Sequence, residues 1–333
     1  MGFMTLGSEP PIKFGEETYP LFKRISIEPI SFCNRKCIFC PVAWNDRGKD
    51  HMAPELYEKI VAELGDAGFN GVAQLFLLSE PMIDATLPGK ALRLRTACPD
   101  ATIYISSNGD VLDKIAQTKG MDAAVAKLKT YYEAGINVIN INAYDPGPDQ
   151  LGRYRALEVA AQEQLGTIHT GNKYRRHRTS GRFLCITDMR FDEREEIKGT
   201  DVFYLRNKQD RDALKAKGEK VPQKHCSRTQ NHIVVLFDGA VPICCAIDPN
   251  DRSMIAGDAN TQSLREIWNS EVFFKYRHFT QQAKRVLPGC DTCTHKMAFP
   301  HIVRKITAPA ETLAKWEAEL DKTPREVSGA VIP

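Results

Sequence analysis

No uninterrupted apolar run in the 333-residue chain approaches the roughly 20 residues that a membrane-spanning helix needs. The N-terminus lacks a charged stretch followed by an apolar one, so no secretory signal is expected there. A strong excess of one charge is missing too: 45 Lys and Arg face 42 Asp and Glu, for a formal net charge of +3. That balance does not by itself call for nucleic acid or a membrane surface. The expected compartment is the cytosol. Histidine is sparse, eight in all, without a ligand spacing, and no internal sequence repeat is detectable. Cysteine is what the chain has in quantity. Its ten cysteines include a triplet and pairs, which in a reducing compartment favours metal ligation over disulfides.

The triplet lies in Ile30-Ser31-Phe32-Cys33-Asn34-Arg35-Lys36-Cys37-Ile38-Phe39-Cys40-Pro41, a C-x3-C-x2-C spacing. Closely spaced thiolates can turn onto three corners of one [4Fe–4S] cube, and no fourth cysteine stands nearby to close the last iron. An iron without a protein ligand can bind a substrate or cofactor. Zinc is the competing reading, although zinc usually pairs one C-x2-C with a second pair in a closed site. Further along, Cys226, Cys244 or its neighbour Cys245, and the pair Cys290 and Cys293 offer a second set. Four thiolates can satisfy all irons of a cluster or hold a structural zinc. Adjacent cysteines on a strand point oppositely, so Cys244 and Cys245 cannot easily face one cluster. Cys98 and Cys185 lie in apolar or strand-like settings and are expected to be packing residues.

The alternation at 25–28 predicts a first strand leading into the triplet, and Pro54 opens a helix with Leu56, Ile60 and Leu64 on one stripe. Then come an apolar strand at 72–78, a helix near 88–96, a strand at 102–106, a helix at 122–134 and a strand at 137–143. A helix at 149–164 and a strand at 183–187 follow, with a sixth strand expected near 167–170. Repeated β-then-α units imply a parallel sheet with right-handed crossovers, and chemistry collects at the C-terminal strand ends of such folds. From 189 to 224 charged residues dominate, with a helix expected at 208–217, and a domain boundary is placed there. Segments 233–237 and 241–246 flank Asp238-Gly239, a hairpin signal. Ser263-Leu264-Arg265-Glu266 is a capping box, and Pro309 opens a last helix with Leu313, Trp316 and Leu320 facing inward.

On these residues the chain resembles the radical SAM superfamily, whose signature is C-x3-C-x2-C with an aromatic commonly before the last Cys, here Phe39. The resemblance implies an α/β fold, a partial (β/α)6 TIM-like barrel followed by a small iron–sulfur domain. It also implies that the open iron chelates the amino and carboxylate groups of S-adenosylmethionine, which the reduced cluster cleaves to a 5′-deoxyadenosyl radical. Leu78-Ser79-Glu80-Pro81 resembles the family's Gly-Gly-Glu-Pro motif, with Leu78 and Ser79 where glycines are usual, and Glu80 is implied to receive the methionyl amino group. Ser106-Ser107-Asn108-Gly109 resembles the Ser/Thr-Asn-Gly segment beside the cofactor, although Asn-Gly is also an ordinary turn. Asn142 sits where relatives place a polar residue against the ribose or carboxylate. The implied S-adenosylmethionine contacts are thus Phe39, Glu80, Ser107, Asn108 and Asn142. The second cysteine set resembles the twitch or SPASM extension, in which a hairpin and a short helix wrap an auxiliary [4Fe–4S] cluster. Its implied ligands are Cys226, Cys244, Cys290 and Cys293, the Gly-x4-Cys count from Gly239 selecting Cys244 over Cys245. A full SPASM domain supplies seven cysteines for two clusters, so a single-cluster variant is implied.

The expected organisation is a lead-in at 1–19, a radical SAM core at 20–190, a charged connecting segment at 191–219, a twitch/SPASM-like domain at 220–300 and a C-terminal helix and tail at 301–333. The expected function is reductive cleavage of S-adenosylmethionine and oxidation of a small polar or anionic metabolite, with a flavodoxin- or ferredoxin-type reductant. Arg175, Arg176 and Arg178 belong to the densest basic stretch. A solvated charge run is the default reading; the sharper one is a clamp on an anionic part of the substrate, since guanidinium forks bind such groups bidentately. The stretch is weak support for nucleic acid. Two rivals stand beside this reading, a peptide-modifying maturase and a non-enzymatic electron carrier or zinc scaffold. Only 32 residues precede Cys33, short of the leader-binding module that peptide-maturing relatives often carry, which favours a small molecule.

Overall fold

A computed structural model of the chain describes residues 10–37, 40–43, 47–145, 148–169, 181–189, 225–246, 252–291, 293 and 305–322. Phe39, the arginines 175, 176 and 178 and the helix expected at 208–217 lie outside the described residues. A short strand β1 (Ile12–Lys13) precedes β2 (Arg24–Ile27). Pro54, which has no N–H to leave unpaired in a first helical turn, begins α1 (Pro54–Asp66), with Leu56, Ile60, Val61 and Leu64 buried. There follow β3 (Val72–Gln74), α2 (Leu87–Ala97), β4 (Thr102–Ser107), α3 (Asp110–Lys119), α4 (Met121–Glu133), β5 (Val138–Ala143), α5 (Pro148–Leu165) and β6 (Phe183–Asp188). Helix α3 escaped the sequence reading because only Leu112 is buried on it, too little to print a stripe.

The sheet is parallel throughout, in the order β6-β5-β4-β3-β2-β7, where β7 is His232–Val235. Two expectations change here. The sixth strand is not at 167–170, where Ile168 makes only an isolated bridge to Phe183. It comes instead from the cysteine-rich segment, pairing Arg24 to His232 and Ile27 to Val235, and so covers the edge that β2 would otherwise expose. The hairpin is likewise only half formed. The chain does reverse at Asp238-Gly239, with Gly239 at φ 91° and the Leu236 N–H donating to the Ala240 carbonyl at 2.9 Å. With β7 committed to β2, however, β8 (Ala240–Pro242) pairs antiparallel with β9 (Ile255–Asp258). The expected strand at 72–78 also stops early, because the chain bends after Gln74 to carry Glu80 over the strand ends, where its N–H meets the Phe32 carbonyl at 3.2 Å.

The two faces of the sheet differ. Ile25, Ile27, Ala73, Ile103, Ile105, Ile139, Ile141, Ile233 and Val235 are buried in the main core with the helices. On the alternate face Tyr104, Val138 and Phe183 form a separate small apolar cluster. Above it the same face carries Ser26, Gln74, Ser106, Asn140, Asn142 and Thr187, joined by side-chain hydrogen bonds. Period-two alternation thus gives the strands one oily and one polar side.

Beyond the sheet, the chain described includes α6 (Arg228–Asn231), α7 (Leu264–Trp268), α8 (Glu271–Gln281), β10 (Ile306–Thr307) and α9 (Ala310–Lys322). The capping box forms as expected, the Ser263 hydroxyl accepting from the Glu266 N–H at 3.1 Å and Glu266 accepting from the Ser263 N–H at 2.7 Å. The lead-in is stapled onto this end. β1 pairs in parallel with β10, Tyr19 and Phe22 pack edge-on against Trp268, and the Trp268 indole donates to the Pro20 carbonyl at 2.9 Å. No helix among the described residues is long and apolar enough to cross a membrane.

Gly109 links β4 to α3 at φ 76°, and a Cβ there would lie 2.5 Å from Ile141 Cγ2 and 2.7 Å from Tyr154 Cζ. Both the left-handed backbone and the clash penalise a side chain, so Gly109→Ala should cost about 2 kcal/mol or more. A drop in the denaturation midpoint checks this; an unchanged midpoint would show that the turn rearranges freely.

Candidate active site

The residues expected to contact S-adenosylmethionine meet at the C-terminal rim of β2–β5. Glu80 is 2% exposed. Its Oε1 accepts from the Met82 N–H at 2.9 Å and the Ser107 hydroxyl at 2.8 Å, and its Oε2 accepts from the Asn108 N–H at 2.7 Å. The Asn108 amide donates to Asn34 Oδ1 at 2.9 Å and reaches the Cys33 sulfur at 3.8 Å. Asn142 completes the arc, donating to the Ser106 hydroxyl at 2.9 Å and the Ser107 carbonyl at 3.3 Å. Cys33, Glu80, Ser107, Asn108 and Asn142 therefore form one connected group. Burial raises Glu80 to about 7, against the pull of its three hydrogen bonds. The Ser79 hydroxyl beside it is buried with no hydrogen-bond partner among the described residues. Buried hydroxyls are seldom left so, and a polar ligand group at this rim would satisfy it.

Two arginines missed in the sequence reading hold the triplet loop in place. Arg35, between Cys33 and Cys37, donates through Nε to Asp110 at 2.7 Å and through Nη2 to Asp145 at 3.0 Å, with its guanidinium 5.9 Å from the Tyr144 ring centre. Asp110 opens α3 and Asp145 follows β5, so one side chain ties the loop to two strand ends. The fork holds the Asp145 carboxyl below its ordinary range, and the two carboxylates raise Arg35. Arg47 forms the second tie. It meets Glu28 at 2.7 Å and 3.0 Å and donates to the carbonyls of Ser31 at 3.0 Å and Leu78 at 2.9 Å. The available signal was one cation inside the thiol run and one just beyond it, but their partners lie too far along the chain to be paired by inspection.

The second set also gathers. The charge of Cys293 acts on Cys226, and those of Cys226 and Cys293 act on Cys290. Cys244 accepts a hydrogen bond from the Cys245 thiol, which lowers its pKa, while Cys245 is raised to about 11. The strand expected at 241–246 ends at Pro242, so the opposite facing expected of neighbours on a strand does not apply to this pair: the two thiols meet, although Cys244 packs against the main core and Cys245 against Val234, Leu236 and Ala240. Cys98 and Cys185 are buried, each 2% exposed.

No three His, Cys, Asp or Glu side chains among the described residues are arranged to hold a single metal ion. The thiols nevertheless suit cluster ligation. Cys33 and Cys244 each accept a backbone N–H from two residues on, at 3.4 Å in both cases, and Cys40 and Cys226 receive the same kind of bond from Val42 and Arg228. Burial raises Cys33, Cys40 and Cys226, and these bonds pull the other way, toward thiolate, the ligating form.

Residues 27–197, more than half of the chain, match the family model of the radical SAM superfamily. The chain belongs to the radical SAM superfamily. Residues 226–294 match SPASM, an iron-sulfur cluster-binding domain. Cys226 begins that second match, and β7 within it completes the sheet of the first. The chain is 24% identical over 277 residues to the S-adenosyl-L-methionine-dependent 2-deoxy-scyllo-inosamine dehydrogenase of Niallia circulans, covering 80% of this chain and 89% of that protein. Its fold is similar to BtrN in complex with AdoMet and 2-DOIA, with a TM-score of 0.60 and 20% identity over 85% of this chain and 99% of that one. BtrN in an open conformation is similar with a TM-score of 0.55 and 20% identity, covering 84% and 95% of the two chains. This radical SAM protein is accordingly an S-adenosylmethionine-dependent enzyme that uses two [4Fe–4S] clusters.

Arg35 gives a direct test of the loop's mooring. Arg35→Ala should lower the iron held by the triplet while leaving that of the second set. Arg35→Lys, which keeps the charge but loses the fork, should fall between. Equal iron retention in all three proteins would mean that the loop is held elsewhere.

Proposed function

We propose that this enzyme oxidises a small, hydroxyl-rich, non-anionic metabolite by hydrogen abstraction, with Cys33, Cys37 and Cys40 holding the S-adenosylmethionine cluster and Cys226, Cys244, Cys290 and Cys293 the auxiliary one. The observation that carries the substrate class is the polar face of the sheet. Ser26, Gln74, Ser106, Asn140, Asn142 and Thr187 are all neutral, and His232, which lies 2.9 Å from the Ser26 hydroxyl, is kept neutral by burial. Hydroxyl and amide groups of this kind match hydroxyl and amino substituents one for one without demanding a charge. The dehydrogenase to which the chain is similar is named for 2-deoxy-scyllo-inosamine, a compound of this class. The anionic clamp at Arg175, Arg176 and Arg178 stays outside this argument.

When bound, S-adenosylmethionine and the two clusters supply a hydrogen-abstracting radical and an acceptor for one electron. The chain supplies the rest. The Glu80 carboxylate, fixed by Ser107 and the Asn108 N–H, receives the methionyl ammonium, and Asn142 takes the ribose or carboxylate side. The polar face turns one substrate carbon toward the rim, and the loops tied by Arg35 and Arg47 keep water out. Loss of a hydrogen atom, then of one electron and one proton, amounts to a two-electron oxidation. A flavodoxin- or ferredoxin-type protein in the cytosol is the proposed source of the reducing electron.

Glu80→Gln should weaken S-adenosylmethionine binding by one to two orders of magnitude, from a charge-assisted bond worth about 1.5–3 kcal/mol. The carboxyl is raised to about 7, so it stabilises the fold most below about 4.5 and that gain is lost as pH rises through about 7. Ionisation over the same range favours the ammonium, so affinity should rise between pH 6 and 7.5 in the native enzyme and stay flat in Glu80→Gln. Calorimetric titration at three pH values checks both; equal affinities at neutral pH would return Glu80 to a purely structural role.

The reaction type is read from product mass across a panel of neutral cyclitols, aminocyclitols and sugars and their phosphorylated or carboxylated analogues. The expected product is two hydrogens lighter than a non-anionic member of the panel, with one 5′-deoxyadenosine per product and substrate deuterium in it. An unchanged mass would mean isomerisation, and turnover of the anionic analogues alone would overturn the substrate class.

A further inference from the structure

The two cysteine sets sit among differently employed cations. Around the triplet, Arg35 is claimed by the carboxylates of Asp110 and Asp145, and Arg47 by that of Glu28. Both guanidinium groups also act on the thiols beside them, Arg35 on Cys37 and Arg47 on Cys40. Around the second set, two guanidinium groups address sulfur. Arg228, two residues after Cys226, donates through Nη1 to the Cys245 sulfur, and the thiols of Cys244, Cys226 and Cys293 act on its charge. Arg285, 3% exposed, reaches from the loop after α8 to the Cys293 carbonyl at 3.4 Å and the Cys293 sulfur at 3.7 Å. Its charge also acts on Cys226 and Cys290.

Four thiolates around an oxidised [4Fe–4S] core leave roughly two negative charges, and one-electron reduction adds a third. Burying that charge is costly unless cations lie close by, and nearby cations favour the more negative, reduced form. We propose that Arg228 and Arg285 act as positioning residues that raise the reduction potential of the auxiliary cluster, so that it accepts one electron from the substrate after hydrogen abstraction. The inference rests on the assignment of Cys226, Cys244, Cys290 and Cys293 as the auxiliary ligands and on the oxidative reading of the reaction.

The test is a redox titration followed by electron paramagnetic resonance on the reconstituted full chain, comparing native protein with Arg228→Gln, Arg228→Lys, Arg285→Gln and Arg285→Lys. Each glutamine variant should shift the auxiliary cluster toward its oxidised form by about tenfold in the equilibrium constant, about 59 mV for one electron. Each lysine variant should stay within about threefold of native, and the triplet's midpoint should not move. Equal midpoints for the native and glutamine forms would overturn the proposal, as would a lysine midpoint lowered as far as glutamine's. If a glutamine variant fails to load iron, the corresponding lysine variant decides by the same criterion. Failure of the underlying assignment is separately visible: in Cys290→Ala the auxiliary signal would persist at full iron content.

Discussion

The buried pair of Glu28 and Arg47 is the interaction on which the rim depends. Glu28 ends the first sheet strand with its side chain fully covered, and Arg47 returns to it from beyond the triplet loop. Between them they bind the backbone of Ser31, of Leu78 and, at 3.5 Å, the N–H of Phe237. Three segments distant in sequence are thus fixed at one point: the loop that carries the thiols, the bend that delivers Glu80, and the turn that leads from β7 to Cys244. A buried ion pair gains little stability over apolar packing, but removing one partner strands an uncompensated charge. What the pair contributes is therefore register, and the surrounding backbone bonds make that register unique.

Everything chemical at the rim follows from this placement. The bend after Gln74 shortens β3, which costs ladder bonds, and in exchange brings a carboxylate into the reach of Ser107 and Asn108. Glu80 is left desolvated and poised near neutrality. A group in that state gains most from a cation that arrives with its ligand, because the ion pair then forms where water has already been excluded. The side chains on the polar face below it are neutral, so none of them competes with Glu80 for a cation.

The C-terminal segment serves the core as well as its own thiols. It lends β7 to the sheet, and its helices receive the lead-in through the aromatic contacts of Tyr19 and Phe22 with Trp268 and of Phe14 with Trp316. Two family-model matches therefore share one sheet and one core. Shared packing fixes the second thiol set relative to the strand ends.

By itself the sequence determined what depends on neighbours along the chain. The C-x3-C-x2-C spacing, the capping box at Ser263, the strand-end positions of Glu80, Ser107, Asn108 and Asn142 and, apart from α3 and the sixth strand, the order of β and α segments are all local patterns. Tertiary structure alone decided what depends on distant partners. An apolar run such as His232–Val235 fits a hairpin or a parallel edge equally well, and only the open side of β2 selects the second. The carboxylates that receive Arg35 and Arg47 lie 75, 110 and 19 residues away, and the sulfur that receives Arg228 lies 17 away. Local spacing is written in covalent geometry, whereas a charge's partner is chosen only when folding has removed the water that would otherwise serve it.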